Sequence, residues 1–169
     1  MKEHAYIGPP ELLSLIGQPS TRRGISDVAD FISWVEATQQ APDENGEVIV
    51  TFIINTVGQL WIADRRSEHV VCAAGEPVLS AGEMTFRLSK NEVEVTAATN
   101  QSTGFCPEPE SWAAVGVALD KLGLSHPGGF TTAFHFRRCR KCDSINLVKE
   151  EWFVCGVCDG DLEREWNLG

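Results

Sequence analysis

The stretch EVIVTFIINTVGQLWIADR, residues 47–65, decides the fold of the main body of the chain. Its two halves are rich in β-branched and aromatic residues, and Asn55 to Gly58 between them are typical of a turn. The stretch therefore predicts a β-hairpin. A second hairpin is predicted from MTFRLS (84–89) and EVEVTAA (92–98), which Lys90 and Asn91 join. Four strands in two hairpins predict an antiparallel sheet.

Two amphipathic patterns predict helices that pack on this sheet. Ser26 is a candidate N-cap for a helix over residues 26–40, in which apolar residues recur at helical spacing. Residues 110–123 carry a similar pattern that ends at Gly123, and glycine favours helix ends. The alternating segment FTTAFHF, residues 130–136, predicts one more strand, whereas the apolar run over 69–79 does not distinguish a helix from a strand.

The composition is that of a folded protein with an acidic surface. The 169 residues are 43% hydrophobic and 22% charged, and the formal net charge is −10. Such a chain repels a phosphate backbone, so nucleic acid is not an expected partner. The acidity fits a soluble protein or one that docks on a basic protein surface. Without an apolar run of roughly 18 residues or a signal peptide, a cytoplasmic location and no membrane association are expected.

Four of the six cysteines form two C-x2-C pairs, Cys139 with Cys142 and Cys155 with Cys158, with twelve residues between the pairs. The cytosol keeps thiols reduced, so metal ligands are favoured over disulfides. Two such pairs can close a tetrahedron of thiolates, which predicts one structural Zn²⁺, with iron as the alternative metal. A closed set of four sulfurs leaves no position for substrate, so the metal is expected to stabilise the fold.

The segment CRKCDSINLVKEEWFVCGVCDG, residues 139–160, resembles the rubredoxin-like zinc ribbons, and the resemblance extends over residues 137–166. Asp143 follows the first pair where that pattern commonly has glycine. Because aspartate tolerates the left-handed conformation less well than glycine, a less regular first turn is predicted. The predicted architecture is an α+β domain over 1–136, with a sheet of four or five strands and packed helices, and a zinc ribbon over 137–169 packed on it.

Cys106 is the candidate nucleophile of the chain. It precedes a predicted helix, where free amide groups favour a thiolate; the alternative is an unreactive thiol packed in a turn. The order of elements over residues 26–122 is similar to that of the ubiquitin-conjugating enzymes, in which an asparagine stabilises an oxyanion and a cysteine carries the modifier. The resemblance implies these roles for Asn100 and Cys106, although Thr99 stands where that family has proline.

Two further polar clusters each have a functional and a structural interpretation. The first cluster combines an H-x2-C pattern with other polar residues. These residues would form a second metal or acid–base site, or each would be a hydrogen-bonded structural residue. The residues concerned are His69, Cys72, Glu68, Glu83, His126 and His135. A basic cluster around the first cysteine pair would bind phosphate or would offset the charge of a zinc tetrathiolate. Its members are Arg137, Arg138, Arg140 and Lys141.

Three functions follow, in decreasing order of preference. The first is a cytoplasmic zinc-binding adaptor or protein-interaction protein with a protein partner. The second is a cysteine-dependent acyl-transfer enzyme that uses Cys106. The third is a nucleic-acid-associated zinc-ribbon protein. The sequence leaves open the identity of the partner and the oligomeric state.

Overall fold

A computed structural model describes residues 1–90 and 92–169, which form an α+β fold around a five-stranded antiparallel sheet in the order β1-β3-β2-β4-β5. The strands are β1 (Arg23–Gly24), β2 (Glu47–Asn55), β3 (Leu60–Asp64), β4 (Val78–Ser89), β5 (Glu92–Ala98), β6 (His135–Arg138) and β7 (Ile145–Val148). The α-helices are α1 (Val28–Ala37), α2 (His69–Cys72) and α3 (Trp112–Lys121), and two 3-10 helices cover Pro10–Leu15 and Pro109–Ser111. Strands β6 and β7 form a separate antiparallel pair.

Both predicted hairpins are present. Strands β2 and β3 pair with Phe52 opposite Ile62, and β4 pairs with β5 with Arg87 opposite Glu94. The predicted β4–β5 turn includes Asn91, which lies outside the described residues. Strand β4 also pairs with β2, so the two hairpins join into one sheet.

The sheet has an apolar side chain layer on each face. Alternate residues of β2 (Val48, Val50, Phe52 and Ile54) share one core with residues of α1 and α3. In that core Phe31 of α1 stacks on Phe86 of β4 with ring centroids 4.2 Å apart. Ile53 of β2 faces the opposite way and packs with Phe105 and with Cys72 of α2. The period-2 alternation of β2 therefore supplies both layers.

The helices are shorter than the sequence predicts. The N-cap of helix α1 is Asp27, one residue after the predicted Ser26, and the Asp27 side chain accepts a hydrogen bond from Asp30 N at 2.7 Å. Ser26 instead donates its backbone N–H to the Asp30 carboxylate at 2.9 Å, so the side chains of Asp27 and Asp30 each accept one backbone N–H at the helix start. None of the helices in the described ranges is long and apolar enough to cross a membrane.

The segment over 130–136 is largely not a strand, so that prediction is wrong for its first five residues. Thr131 donates its backbone N–H to Ala98 O at 2.9 Å, and regular pairing begins only at His135, with Val148 of β7 as partner. The fifth strand of the main sheet is β1, which pairs with β3. The division into 1–136 and 137–169 stays a prediction, and strand β6 spans its boundary.

Candidate metal centre

The four cysteines of the two C-x2-C pairs converge in the C-terminal unit, which we define as residues 135–169. Their four sulfurs lie within 4.8 Å of one another. The Cys139 and Cys158 sulfurs are 3.6 Å apart, as are those of Cys142 and Cys155. Metal–sulfur bonds of about 2.3 Å in a tetrahedron place sulfurs roughly 3.8 Å apart. The donor set therefore fits a tetrahedrally coordinated metal ion.

The two cysteine pairs sit on two separate turns that have the same backbone hydrogen bonds. Cys139 N donates to Ser144 O at 2.8 Å and Asp143 N donates to Cys139 O at 2.8 Å. The second pair repeats both bonds at 2.8 and 3.0 Å, from Cys155 N to Gly160 O and from Asp159 N to Cys155 O. Asp143 and Asp159 adopt left-handed φ angles of 62° and 57°. The prediction of a less regular first turn is therefore wrong, since aspartate can take this conformation in single residues.

Two polar side chains just after the first pair surround the sulfurs. The Ser144 hydroxyl lies 3.1 Å from Cys142 Sγ and 3.3 Å from Cys155 Sγ. Asn146 donates to Cys155 Sγ at 3.5 Å and accepts the Gly156 N–H at 3.0 Å. Sequence reasoning missed both residues. Their signal is the alternation of residues 144–147, in which polar Ser144 and Asn146 alternate with apolar Ile145 and Leu147.

The cysteines of the cluster differ in their pKa values. The Ser144 hydroxyl is the main cause that lowers the pKa of Cys155 to about 5. The Gly160 amide favours the Cys158 thiolate, but loss of solvent and the neighbouring sulfurs outweigh that amide and raise the pKa of Cys158 to about 12. Four adjacent thiolates repel one another, and a bound divalent cation removes this penalty. Bound there, such an ion would cross-link the two turns.

The last residues of the chain bond to strand β6 within the C-terminal unit and to one loop of the main body. Arg137 is buried, and its guanidinium donates to Glu163 O at 3.1 Å and to Arg164 O at 2.6 Å. Asn167 accepts the Arg138 N–H at 2.8 Å, and Trp166 donates to Cys106 O at 3.2 Å. The tail therefore bonds both to β6 and to the loop that contains Cys106.

The predicted basic cluster is largely engaged by the chain's own groups. Besides Arg137, Arg138 lies 3.4 Å from the Asp143 carboxylate and Arg140 lies 2.7 Å from that of Glu163. These pairings place acidic groups among the cations. The arrangement gives no support to a phosphate site at the first cysteine pair.

Asn100 is buried and all of its side-chain bonds go to the backbone. Its Nδ2 donates to Pro107 O at 2.9 Å and to Phe134 O at 2.8 Å. Its Oδ1 accepts the Phe134 N–H at 2.8 Å. Both amide protons of the carboxamide are therefore in use. The residue ties the loop after β5 to the segment before β6.

Cys106 is fully buried at the junction with the C-terminal unit, where it packs with Phe134, Phe136 and Leu168. Its thiol donates to Thr103 O at 3.4 Å. Burial raises the pKa of Cys106 to about 12, against a weaker opposite effect of Arg138. A nucleophilic cysteine needs a lowered pKa, so this shift of the Cys106 pKa is in the opposite direction. The nearest helix starts only at Pro109, so Cys106 does not cap a helix.

The surroundings of Cys106 predict slow alkylation. With a pKa of about 12, roughly one thiol in 10⁴ is ionised at pH 8. In the native protein at pH 8 we expect iodoacetamide to modify Cys106 more than a hundredfold more slowly than in the guanidinium-unfolded chain. Peptide mass mapping over time measures both rates. Cys72, whose pKa is also raised to about 12 by burial, is the internal control; native Cys106 reacting much faster than Cys72 would contradict this environment.

The second metal or acid–base site, which the sequence leaves open, is not assembled in the described residues. Within the described residues, the four cysteines are the only group of three or more His, Cys, Asp or Glu side chains whose ligand atoms lie this close. His69 Nε2 bonds to Gly82 O at 2.9 Å, Glu83 pairs with Arg65 at 3.6 Å and His126 with Asp120 at 2.8 Å. Cys72 is buried in the core. These residues have separate structural partners.

Comparison with known proteins adds no relative: no family model, no curated protein and no solved structure matches the chain. The likeness to ubiquitin-conjugating enzymes gains no support from these comparisons or from the surroundings of Asn100 and Cys106. The class that the fold and site define is an α+β protein with a four-cysteine cluster that can hold a metal ion.

Proposed function

We propose that the protein is a cytoplasmic, zinc-binding adaptor: an α+β body and a zinc ribbon that together present a surface to a protein partner. The observation that carries the proposal is the closed four-cysteine cluster, the most specific chemistry in the described residues. Zinc is the metal most often held by four cysteines at this spacing, and four protein ligands leave no position for a substrate. The metal then stabilises the unit and takes no part in a reaction.

A cytoplasmic location is supported by the cysteines outside the cluster. Cys72 and Cys106 are free and buried, and neither is part of a disulfide. Free thiols of this kind fit a reducing compartment. The acidic net charge of −10 favours a protein partner over nucleic acid.

An interaction role is supported by apolar side chains that the C-terminal unit leaves in solvent. Trp152 is 71% exposed and Val157 is 73% exposed. Both belong to the unit that the four cysteines hold together. Exposed apolar groups on a rigid support are typical of protein-binding surfaces, in which tryptophan often contributes much of the binding free energy.

The proposal is tested by measuring which metal ion and which protein are bound to the chain in its native cells. We expect native mass spectrometry of the tagged chain, at its natural abundance, to detect one zinc per chain and a stoichiometric complex with a second protein. The Cys106→Ala variant should form the same complex at the same level, because Cys106 has no chemical role in it. Recovery of the chain without any partner, or loss of its cellular activity in a well-folded Cys106→Ala variant, would contradict the adaptor function.

A further inference from the structure

Trp152 lies in the turn of residues 149–152, which we call the Glu150 turn, between β7 and the second cysteine pair. Its side chain is 71% exposed. Lys149 O accepts the Trp152 N–H at 3.0 Å, which closes the turn. The closed turn fixes the backbone of Trp152, so little backbone entropy is lost when a partner covers the side chain.

The three half-buried tryptophans all have partners within the chain: Trp112 packs edge-on against His126 and Phe130, and the other two lie under cations. The Arg22 guanidinium lies 4.1 Å from the ring centroid of Trp61, and the Lys2 ammonium lies 3.2 Å from that of Trp166. Even Phe153, the neighbour of Trp152, has Arg164 at 4.9 Å from its ring. Among the described residues, no aromatic or cationic group of the chain faces the ring of Trp152. A cation from another molecule fits this position.

The acidic residues beside Trp152 favour the same kind of ligand. Glu150 and Glu151 are exposed and occupy the two central positions of the turn, with left-handed φ angles of 52° and 57°. Asparagine and glycine suit these two positions far better than glutamate. The nearby Lys149 side chain extends toward the ring of Phe134, 5.7 Å from its centroid. The turn thus keeps two carboxylates at a conformational cost, next to an uncovered tryptophan.

We propose that the Glu150 turn is the partner-binding surface of the adaptor and that its ligand is a basic, arginine-containing segment of the partner protein. An arginine of the partner stacks on the face of Trp152 while neighbouring basic groups pair with Glu150 and Glu151. This inference rests on the proposed function and names the partner's chemistry. Arginine is preferred to lysine because its planar guanidinium stacks on aromatic rings and is less strongly hydrated.

The test uses a fluorescein-labelled peptide of alternating arginine and glycine, with a lysine–glycine peptide of equal length beside it. Fluorescence anisotropy measures affinity for the zinc-loaded full chain. The arginine peptide is expected to bind at least about threefold more tightly than the lysine peptide. Trp152→Ala is expected to weaken binding about tenfold or more. In nuclear magnetic resonance spectra, the Trp152 indole N–H signal should shift most among the five tryptophans.

Matched variants separate this surface from general acidity. The double change Glu150→Lys with Glu151→Lys should weaken binding at least about tenfold, since it reverses the charge beside the ring. Glu44→Lys with Glu76→Lys alters the net charge equally at exposed positions on the main body, and Val57→Ala removes apolar surface at a side chain that is 81% exposed. Both controls should stay within about twofold of the unchanged chain.

A strain-relieving variant gives a readout that a structural role would not produce. Glu150→Asn with Glu151→Gly supplies residues suited to the turn, so the midpoint of thermal unfolding should rise by a few degrees while peptide binding falls. A merely structural turn would gain stability without losing affinity, and that result would overturn the proposal. Equal weakening by the Glu44 and Glu76 changes would also overturn it, as would binding of single-stranded DNA or anionic vesicles through Trp152.

Failure here is distinguishable from failure of the adaptor function. A native complex that persists in the Trp152→Ala chain would refute the Glu150 turn as the binding surface and leave the adaptor function standing. A chain without any native partner would refute the adaptor function itself.

Discussion

The Cys155→Ser chain is expected to lose its metal ion and to unfold at least over the C-terminal unit. Cys155 is fully buried and contacts Ser144, Asn146 and Cys142. Structural zinc contributes on the order of 10 kcal/mol of apparent binding free energy that is coupled to folding. A loss of this size is comparable to the whole stability of an ordinary domain, about 5–15 kcal/mol. Elemental analysis and amide hydrogen exchange over residues 130–138 measure the two effects.

The effect is expected to reach the main body, because Phe136 and Leu168 of the C-terminal unit pack on Cys106. Cys72→Ala is the matched control, since it removes a buried cysteine that lies outside the cluster. That variant should keep one metal ion and its protection from exchange in β6. Unchanged exchange over residues 130–134, which precede the C-terminal unit, would show in the Cys155→Ser chain that this unit is an independent appendage.

The second large effect is expected at Gly82 in the middle of β4. A Cβ atom at this position would lie 1.8 Å from Thr99 O and 3.1 Å from Asn100 Cα. These are backbone atoms, so no side chain can move aside. Gly82→Ala therefore has to separate β4 from the loop that Asn100 anchors, and overpacking of this kind costs about 3 kcal/mol or more. Urea unfolding of the purified chain measures the change in free energy of unfolding.

Gly129→Ala is the control for the added methyl group, because a Cβ there meets no atom within 4 Å. Its free energy of unfolding should stay within about 0.5 kcal/mol of that of the unchanged chain. A Gly82→Ala chain that is as stable as the Gly129→Ala chain would mean that Thr99 does not cross so close to β4.

The features that the sequence predicts correctly are those encoded by local spacing. The alternation in residues 47–65 specifies the β2–β3 hairpin, because a period of two is enough to decide which side chains face the core. The spacing of the C-x2-C pairs specifies the cluster, because each pair closes its own turn before the two meet. Both patterns act over a few residues.

The features that the sequence does not predict depend on distant partners. Strand β1 is only two residues long and exists by pairing with Trp61 and Ile62 of β3. The alternation over 130–136 indicates a strand, but Thr131 bonds to Ala98 at the end of β5. Regular pairing begins only at His135, where β6 meets β7. The burial of Cys106 rests on Phe134 and Leu168, which are far along the chain. Its loop position alone would indicate an accessible thiol.

X-ray absorption at the zinc edge of the purified full chain tests the central claim most directly, because it reports which atoms surround the metal. The four-cysteine cluster predicts one zinc per chain with four sulfur neighbours at about 2.3 Å and no lighter ligand. Such a spectrum would establish a closed structural site. An oxygen or nitrogen neighbour at about 2.0–2.1 Å, or a chain that folds fully without bound metal, would contradict the account.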